Sequence, residues 1–498
     1  MVDQDVALTE GLGRAIEPLL PSLENFLRFE QPEQVASRRS LWEPLIDEPL
    51  PQHGVGIDAV IELMRDVVVP NGLYCGAPGF SAWVTTMPTI GPIAANLAAT
   101  VAGAQRKWVQ SFNTLEEVAL RWLKEMIGLP TTYQGIFTSG GSTANLIGLG
   151  AARQWYYERL GINSARDGIT MIHQPRIYAS EETHHSIRRA AAVLGLGRQA
   201  IVAVPADQHF RMAVPELQKL LEKDLSEGRS PMAVVANAGN VNTGAIDPIS
   251  EIAGICRQYN LWLHIDGAYG LPGVLDPEVA PLYGDLSVAQ SLVIDPHKWL
   301  AAPVGSGVAF VADRDLLRRT FTLEPAAYFG ESQPEIAHEQ NLASQFDDFG
   351  YPFNDFGLEQ TSPARGVQVW ALLKEIGIEG VRARVCRHNG YARYLAGRVE
   401  QSPLLELMAP VTLSICCFRY VPPALSGRTD PETLQLLNSL NRQILAAVRA
   451  RGRCVPSATL LRSNFVIRPC YINPRMRHED VDMLIDEVEL CGNMLWKC

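Results

Sequence analysis

The sequence predicts an α/β protein with a mostly parallel sheet covered by helices on both faces. Short runs rich in β-branched residues, such as IVAVPA, MAVVANA and LWLHIDG, alternate with amphipathic helical stretches such as PELQKLLEKDLSE and PISEIAGICRQYN. Parallel strands need crossover helices of this kind, and such strands are usually buried on both faces. The chain has 498 residues, a length that allows roughly two to four structural units.

Residues 1–85 predict an N-terminal helical arm or cap. They contain helical patches, including AIEPLLPSLENFLRF and GIDAVIELMRDVV, which prolines separate. Residues 67–105 carry no charged side chain. Prolines divide this run into pieces shorter than the roughly 20 apolar residues that a membrane-spanning helix needs. We therefore interpret it as buried or site-lining chain and expect no association with a membrane.

Residues 86–375 predict the large domain and residues 376–498 a small C-terminal α+β domain. LEEVALRWLKEMIGL has helical periodicity, GIF is a short strand, and the alternation continues to GVAFVAD. Residues 321–359 keep no sustained period, which predicts a functional or disordered loop. In the small domain, LSICCFRYV and NFVIRPCYI read as strands, and ETLQLLNSLNRQILAAVRA reads as a helix.

The composition excludes several classes of protein. Hydrophobic residues make up 47% of the chain, which excludes bulk disorder. A net charge of −11 argues against a nucleic-acid partner. Nine cysteines without a CxxC pair favour a reducing, cytoplasmic compartment, and neither a disulfide framework nor a metal site is indicated. The first residues, MVDQDVALTEGLG, lack the apolar core of a secretory signal.

A glycine turn, TSGGSTAN at residues 138–145, joins a predicted strand to a predicted helix. Glycines let the backbone approach a ligand closely, and the free N–H groups of a helix start suit a phosphate. The turn matches neither GxxxxGK[ST] nor GxGxxG. A plain connection between strand and helix therefore stays open as the alternative.

Two charged residues follow apolar strands. Asp266, in HIDGAY, ends a strand, and ligands of open parallel sheets bind beyond the carboxyl ends of strands. Lys298, in DPHKW, also follows a strand, and desolvation there favours the nucleophilic free amine. A local turn and a surface lysine are the respective alternatives. Together with the glycine turn, these residues form the set that pyridoxal phosphate (PLP) requires, namely a phosphate cradle, a carboxylate for the pyridine nitrogen and a lysine for the aldehyde.

DPHKW around Lys298 and HIDGAY around Asp266 resemble the group II pyridoxal-phosphate decarboxylases. This fold-type-I family includes aromatic-L-amino-acid and glutamate decarboxylases. The resemblance implies a seven-stranded sheet, PLP as cofactor, and decarboxylation of an L-amino acid to an amine and carbon dioxide. It also implies a homodimer with active sites at the subunit interface.

Matching positions give roles to individual residues. The resemblance makes Lys298 the Schiff-base lysine and Asp266 the partner of the pyridine nitrogen. It places His184 against one face of the ring and Ala268 against the other. The remaining cofactor contacts that it implies are Gly141, Ser142, Asn240, Asp295 and His297.

The resemblance further implies that a loop tyrosine returns a proton to the α-carbon. Counting backwards from Leu358 selects Tyr351, with Tyr328 as the nearest competitor. The implied substrate contacts are Phe80, Trp83, Thr86 and Trp108. Aromatic walls favour an aromatic amino acid, whereas Arg106 and Lys107 could clamp the side-chain carboxylate of an acidic one.

Three departures from the family pattern weaken the inference about the substrate. The entry motif HPxF is Ala77-Pro78-Gly79-Phe80 here, GTT is replaced by Gly239-Asn240-Val241, and an arginine pair by Ser362-Pro363, which leaves Arg365 nearest. An aldehyde-forming enzyme is the expectation if Tyr351 is not the proton donor. An aminotransferase and a non-catalytic scaffold are the more distant alternatives.

Overall fold

The computed structural model describes residues 11–28, 39–103, 109–169, 175–322 and 353–497. The strands of these ranges are β1 (Phe80–Ser81), β2 (Gln134–Thr138), β3 (Pro175–Ser180), β4 (Ile201–Val204), β5 (Ser230–Asn237), β6 (Trp262–Asp266), β7 (Ser291–Ile294), β8 (Gly307–Val311), β9 (Leu405–Leu407), β10 (Phe418–Tyr420), β11 (Val455–Leu461) and β12 (Asn464–Arg468).

Seven strands form the central sheet, in the order β2-β8-β7-β6-β5-β3-β4. Neighbours from β7 to β4 pair in parallel, whereas β8 is antiparallel to both β7 and β2. The carboxyl ends of β2, β5, β6 and β7 therefore meet at one edge. The prediction of a mostly parallel sheet is confirmed.

Helices pack against both sheets. In chain order they are α1 (Leu12–Ile16), α2 (Leu20–Arg28), α3 (Arg39–Trp42), α4 (Ile57–Leu63), α5 (Ile90–Ala102), α6 (Gln110–Ile127), α7 (Gly141–Glu158), α8 (Ser164–Asp167), α9 (Ser186–Val193), α10 (Val214–Ser226), α11 (Ile249–Tyr259), α12 (Arg314–Phe321), α13 (Gly366–Gln401), α14 (Pro431–Ala450) and α15 (His478–Trp496).

Helix α7 packs closely against the sheet because its sequence contains small residues where it crosses the strands. A Cβ atom on Gly148 would lie 2.6 Å from Cε1 of His264 in β6. Only glycine therefore allows this approach. The helix starts directly after the glycine turn, so its N-terminus points to the edge where β6 and β7 end.

A second, five-stranded sheet has the order β1-β11-β12-β10-β9. Strand β1, from the predicted arm, pairs in parallel with β11 of the predicted small domain, with Phe80 opposite Val455. Helix α13 crosses the predicted boundary between residues 375 and 376, and its backbone leaves helical geometry at Gly377, where φ is 64°. The division into three domains stays a prediction.

The N-terminal helices contribute little to either core. Every side chain in the ranges 11–28 and 39–75 keeps some exposure to solvent. In the parts of the chain that the structure describes, no helix combines the length and the apolar character needed to cross a membrane. Of the predicted loop at 321–359, residues 323–352 lie outside the described ranges.

Candidate active site

A cleft of about 550 Å³ opens between the carboxyl edge of the central sheet and the second sheet. Lys298, Asp266 and the glycine turn at 139–143 all line it. They come from three different strand ends, and the parallel arrangement places those ends side by side. The predicted convergence of these three features is therefore observed in the fold.

The backbone around Lys298 is anchored by the residue that follows it. Trp299 is completely buried, stacks on Tyr269 with 5.3 Å between ring centroids, and donates a hydrogen bond from Nε1 to Nδ1 of His388 at 3.0 Å. Nζ of Lys298 lies 3.0 Å from Oδ2 of Asp295. The buried tryptophan thus fixes the turn while the amine of Lys298 stays in the cleft.

Asp266 is the last residue of β6 and is 7% exposed. Its Oδ1 accepts a hydrogen bond from the backbone N–H of Ala268 at 3.2 Å, and its Oδ2 accepts one from Nδ2 of Asn145 at 3.1 Å. Both donors are neutral. A protonated ring nitrogen in the cleft would supply the positive charge that a buried carboxylate needs.

The glycine turn is shaped so that only glycine fits. Gly140 has a φ of 145°, which other residues rarely adopt. A Cβ atom on Gly141 would lie 2.6 Å from Oδ2 of Asp295 and 3.2 Å from Cβ of Ala268. The backbone N–H groups of Gly141 and Ser142 begin helix α7, where they suit an anion.

We expect Gly141→Ala to weaken PLP binding at least about tenfold, because the added methyl group displaces Asp295 or the start of α7. The dissociation constant is measured by quenching of protein fluorescence during PLP titration. Gly254→Ala is the control, since a Cβ atom there meets open space within a helix. Equal affinity of the Gly141 variant and the unchanged protein would contradict this assignment.

His184 lies in the cleft with a defined hydrogen-bonding pattern. Its Nδ1 accepts from the hydroxyl of Ser186 at 2.9 Å and faces the backbone N–H of the same residue at 3.3 Å. Burial lowers the pKa of His184. The imidazole is therefore neutral near pH 7, with its proton on Nε2.

The side chains of Asn240 and His297 have different hydrogen-bonding roles at the cleft. Oδ1 of Asn240 accepts hydrogen bonds from the backbone N–H groups of Asn242 and Thr243, and its Nδ2 donates to the carbonyl of Phe210. The amide of Asn240 thus holds its own turn at the cleft wall. Nδ1 of His297 donates to the carbonyl of Ser306 at 2.5 Å, and the ring lines the cleft.

The predicted substrate contacts divide into three groups. Trp83 lines the cleft and is 55% exposed. Phe80 and Thr86 are buried and are absent from the described residues that line the cleft. Trp108 and Tyr351 lie outside the described residues, as do the alternatives Tyr328, Arg106 and Lys107. All of these substrate and proton-transfer roles stay predictions.

Sequence reasoning missed Arg468, which lines the cleft from β12 and is 3% exposed. Its guanidinium donates to the carbonyls of Trp83, Asn242 and Val241. Among the described residues, these bonds involve no carboxylate. The sequence feature that could have identified Arg468 is a charged residue inside the apolar strand NFVIRPCYI, because Lys or Arg is rarely buried without a partner.

The stability of this region should depend on pH through His388. Burial lowers the pKa of His388 well below 6.5, so the folded protein keeps it neutral while the unfolded chain binds a proton below pH 6.5. The folded state therefore loses stability as the pH falls below 6.5. His264, with its pKa lowered by burial to about 4, acts in the same direction. Asp247 opposes both, because burial raises its pKa to about 6 and favours folding at low pH.

We expect His388→Asn to shrink the difference in unfolding free energy between pH 7 and pH 5 by about 2 kcal/mol. Asparagine can still accept the hydrogen bond of Trp299 but does not titrate. Urea unfolding at the two pH values measures this difference. The exposed variant His209→Asn should leave it unchanged, and an unaltered difference in the His388 variant would refute the explanation.

Residues 40–421 match the pyridoxal-dependent decarboxylase conserved domain. The chain belongs to this family. It is 30% identical over 447 residues to the aromatic-L-amino-acid decarboxylase of Bacillus atrophaeus, covering 89% of this chain and 87% of that protein. It is also 30% identical over 449 residues to the L-2,4-diaminobutyrate decarboxylase of Rhizobium meliloti (strain 1021), covering 89% and 84%.

The fold agrees with solved structures of relatives. The crystal structure of mouse CSAD superposes with a TM-score of 0.85 at 23% identity, covering 97% of this chain and 98% of that one. The fold-type-I prediction is confirmed, as is the enzyme class, an amino acid carboxy-lyase that depends on pyridoxal phosphate. The substrates named for the two curated relatives differ, so family membership leaves the substrate open.

The residues present fit the phosphate and ring of PLP. The Gly141 position is a cradle that a Cβ atom would fill, and Oδ1 of Asp295 beside it is buried with no hydrogen-bond partner among the described residues. Because buried polar atoms are normally hydrogen-bonded, such an oxygen indicates that a further polar group binds at this site. Within the described ranges, no cluster of three or more His, Cys, Asp or Glu side chains could hold a metal ion.

Proposed function

We propose that this chain decarboxylates an aromatic L-amino acid to the corresponding amine and carbon dioxide. The observation that carries the proposal is the meeting of Lys298, Asp266 and the glycine turn around one cleft of about 550 Å³. That volume lies within the range of small-molecule sites. Each of the three features suits one group of PLP: the lysine suits the aldehyde, the carboxylate the ring nitrogen and the glycine turn the phosphate.

When bound, PLP supplies an electron sink that allows the carboxylate of the substrate to leave as carbon dioxide. In the proposed site, Nζ of Lys298 holds the cofactor covalently, and Asp295 keeps that amine in position. Asp266 would stabilise the proton on the ring nitrogen of bound PLP. The N–H groups of Gly141 and Ser142 would bind its phosphate.

The face of the ring is proposed to lie against His184, with Ala268 on the opposite side. Nε2–H of His184 is the donor of a neutral imidazole and has no hydrogen-bond partner among the described residues, because it is Nδ1 that accepts from Ser186. Tyr351 is the proposed donor of the proton that replaces the carboxylate at the α-carbon. These roles follow the family resemblance.

An aromatic substrate is supported by the apolar side of the cleft. Trp83, Val84 and Val304 line it, and both Trp83 and Val304 are exposed. An exposed indole beside the cofactor site gains from stacking against another ring, by roughly 0.5–1.5 kcal/mol beyond area burial.

An acidic amino acid is the second candidate, and Arg468 favours it. This guanidinium is buried in the cleft wall with only carbonyl and hydroxyl partners among the described residues. Arginine pairs strongly with carboxylates. A substrate with a carboxylate in its side chain would supply the missing negative charge.

The deciding experiment incubates the purified protein and PLP separately with each of the twenty amino acids and with cysteine sulfinate. Carbon dioxide and the amine product are measured by mass spectrometry. We expect turnover of one or a few aromatic amino acids. Turnover confined to glutamate, aspartate or cysteine sulfinate, with loss of that activity in Arg468→Met, would replace the aromatic assignment by the acidic one. Release of peroxide and ammonia in place of the amine would indicate aldehyde formation.

We also propose that the chain forms a homodimer through its N-terminal helices and α5. These helices bury few side chains in their own chain, and α5 carries no charged residue. The exposed apolar residues that support a second copy as the covering partner are Leu20, Leu41, Val60, Ile90 and Val101.

We expect wild-type protein to have twice the chain mass in sedimentation at micromolar concentration. The double variant Ile90→Glu and Val101→Glu should sediment as a monomer, because two buried unpaired carboxylates oppose association. Leu436→Glu, an exposed position on α14, is the control. A monomeric wild-type protein, or a dimeric double variant, would contradict the proposal.

A cytoplasmic location is proposed from the thiols. All eight cysteines of the described ranges are free, including the adjacent pair Cys416 and Cys417. Free thiols persist in reducing compartments. Fractionation of the native host, with detection of the protein outside the cytoplasm as the contrary result, tests this location.

A further inference from the structure

Behind Asp266, a row of buried polar side chains extends through the central sheet to Trp262. Nε1 of Trp262 lies 2.8 Å from Oγ of Ser291, which lies 2.7 Å from Nδ1 of His264. Nε2 of His264 lies 2.8 Å from Oδ1 of Asn145. Nδ2 of Asn145 then donates to Asp266. The row thus links a strand interior to the carboxylate of the cleft.

The chemistry of the two ends fixes the direction of every hydrogen bond. The Asp266 carboxylate only accepts, so the amide nitrogen of Asn145 must face it, and the amide oxygen must face His264. His264 therefore carries its proton on Nε2 and accepts at Nδ1 from the hydroxyl of Ser291. That hydroxyl oxygen accepts in turn from the indole of Trp262, which can only donate. The carboxylate of Asp266 and the indole of Trp262, at the two ends of the row, therefore require the same hydrogen-bond directions.

A branch of this row reaches His184. The second N–H of Asn145 donates to Oγ of Ser186 at 3.1 Å, and the hydroxyl of Ser186 then donates to Nδ1 of His184. His184 consequently keeps its proton on Nε2. The orientation of one amide, that of Asn145, thus sets both the donor offered to Asp266 and the tautomer of His184.

Burial makes this arrangement specific. Trp262, Ser291, His264, Asn145 and Ser186 each have 2% exposure or less, so the bonds of this row face little competition from solvent. Burial also lowers the pKa of His264 to about 4, which keeps it neutral near pH 7. A neutral histidine has one donor and one acceptor, as the row requires.

We propose that a directed hydrogen-bond relay from Trp262 through Ser291 and His264 to Asn145 positions Asp266 and fixes the tautomer of His184. Trp262, Ser291 and His264 are positioning residues, since they act through Asn145 and do not line the cleft. The inference rests on the proposed cofactor roles of Asp266 and His184. It adds that their competence depends on residues that touch neither cofactor nor substrate.

A matched pair at position 264 tests the relay. His264→Leu removes the donor to Asn145, whereas His264→Gln keeps an N–H group where Nε2 stands. We expect His264→Leu to raise the PLP dissociation constant and to lower kcat by about tenfold or more each. His264→Gln should stay within about threefold of the unchanged protein. Trp155→Phe is the control, because Trp155 packs on Trp262 with 5.7 Å between ring centroids but lies outside the relay.

A double-variant cycle separates the relay from ordinary packing. Ser291→Ala alone should raise the dissociation constant about tenfold, but it should add nothing in the His264→Leu background, where the relay is already broken. If the two substitutions acted through independent packing effects, their fold-changes in the dissociation constant would multiply in the double variant. Melting temperatures are measured in parallel, since a packing defect lowers them for every variant, including Trp155→Phe.

The relay is refuted if the effects of His264→Leu and Ser291→Ala on the dissociation constant multiply in the double variant. It is also refuted if His264→Gln loses as much affinity and activity as His264→Leu. If His264→Leu does not fold, the cycle is made from Ser291→Ala and Trp262→Phe, whose double variant should equal the stronger single one. Failure of the proposed function is distinct, because the unchanged protein would then bind no PLP covalently. Covalent binding at Lys298 together with multiplying effects overturns the relay alone.

Discussion

Replacing Lys298 with alanine should reduce decarboxylation by about 10⁴-fold or more, because the residue that forms the covalent bond to PLP is removed. The structure supports this size of effect through the placement of the amine. Nζ lies in the cleft, and the turn that carries it is fixed by the buried Trp299. In the described part of the cleft wall, no other lysine is present to replace it.

The covalent bond is measured directly by borohydride reduction of the PLP-loaded protein, followed by peptide mass spectrometry. The pyridoxyl group is expected on Lys298 in the unchanged protein and on no peptide of Lys298→Ala. Lys219→Ala is the control, since Lys219 pairs with Glu216 on the surface of α10. A pyridoxyl group on a different lysine would contradict the assignment.

Lys298→Arg separates the charge of the residue from its chemistry. Arginine keeps a cation beside Asp295 but does not form the covalent bond to an aldehyde. We expect its activity to be as low as that of Lys298→Ala, while its melting temperature stays closer to that of the unchanged protein. Similar activities of Lys298→Arg and the unchanged protein would mean that Lys298 acts only as a counter-ion.

The position of Lys298 and Asp266 could be predicted because a parallel sheet brings strand ends together. Each residue directly follows an apolar run, and no knowledge of distant contacts is needed to place both at one edge. The glycine turn was predictable for the same reason, since β2 runs in the same direction as β7. Local sequence was therefore sufficient for these three features.

Arg468 could not be placed in this way. It reaches the cleft because the second sheet packs opposite the strand ends, and it then binds carbonyls of residues far away in the chain. The pairing of β1 with β11 is equally nonlocal. Local periodicity shows which segments are strands, but it gives no information on how two sheets meet.

Asn240 illustrates a different difficulty. Comparison with the family pattern placed its amide near the cofactor, and the residue does line the cleft. Its amide oxygen nevertheless accepts from two backbone N–H groups and the hydroxyl of Thr243. Sequence identifies where a polar side chain lies, whereas its bonding partners depend on the exact path of the turn.

Asp266→Asn should lower kcat by about 10³-fold, because asparagine has no charge to hold a proton on the ring nitrogen. The substitution also disturbs hydrogen bonding. Both carboxylate oxygens accept N–H groups, from Ala268 and from Asn145. The amide of the variant would direct its own N–H group at one of these donors, which leaves buried donors unpaired and lowers stability as well.

Transferring the carboxylate from position 266 to its hydrogen-bond partner at position 145 separates the loss of charge from the loss of hydrogen bonds. In the double variant Asp266→Asn with Asn145→Asp, the new carboxylate accepts from both the amide at 266 and Nε2 of His264, so these two buried donors are paired again. The N–H group that Asn145 donates to Ser186 is lost. We expect its melting temperature to recover toward that of the unchanged protein while kcat stays about 10³-fold low, because the charge no longer faces the ring and the amide that orients Ser186 toward His184 is gone. Activity assays and thermal unfolding measure both quantities, and Asp313→Asn, at the exposed N-cap of α12, is the control. Recovery of kcat in the double variant would show that hydrogen-bond pairing, and not the charge at position 266, is what the reaction needs.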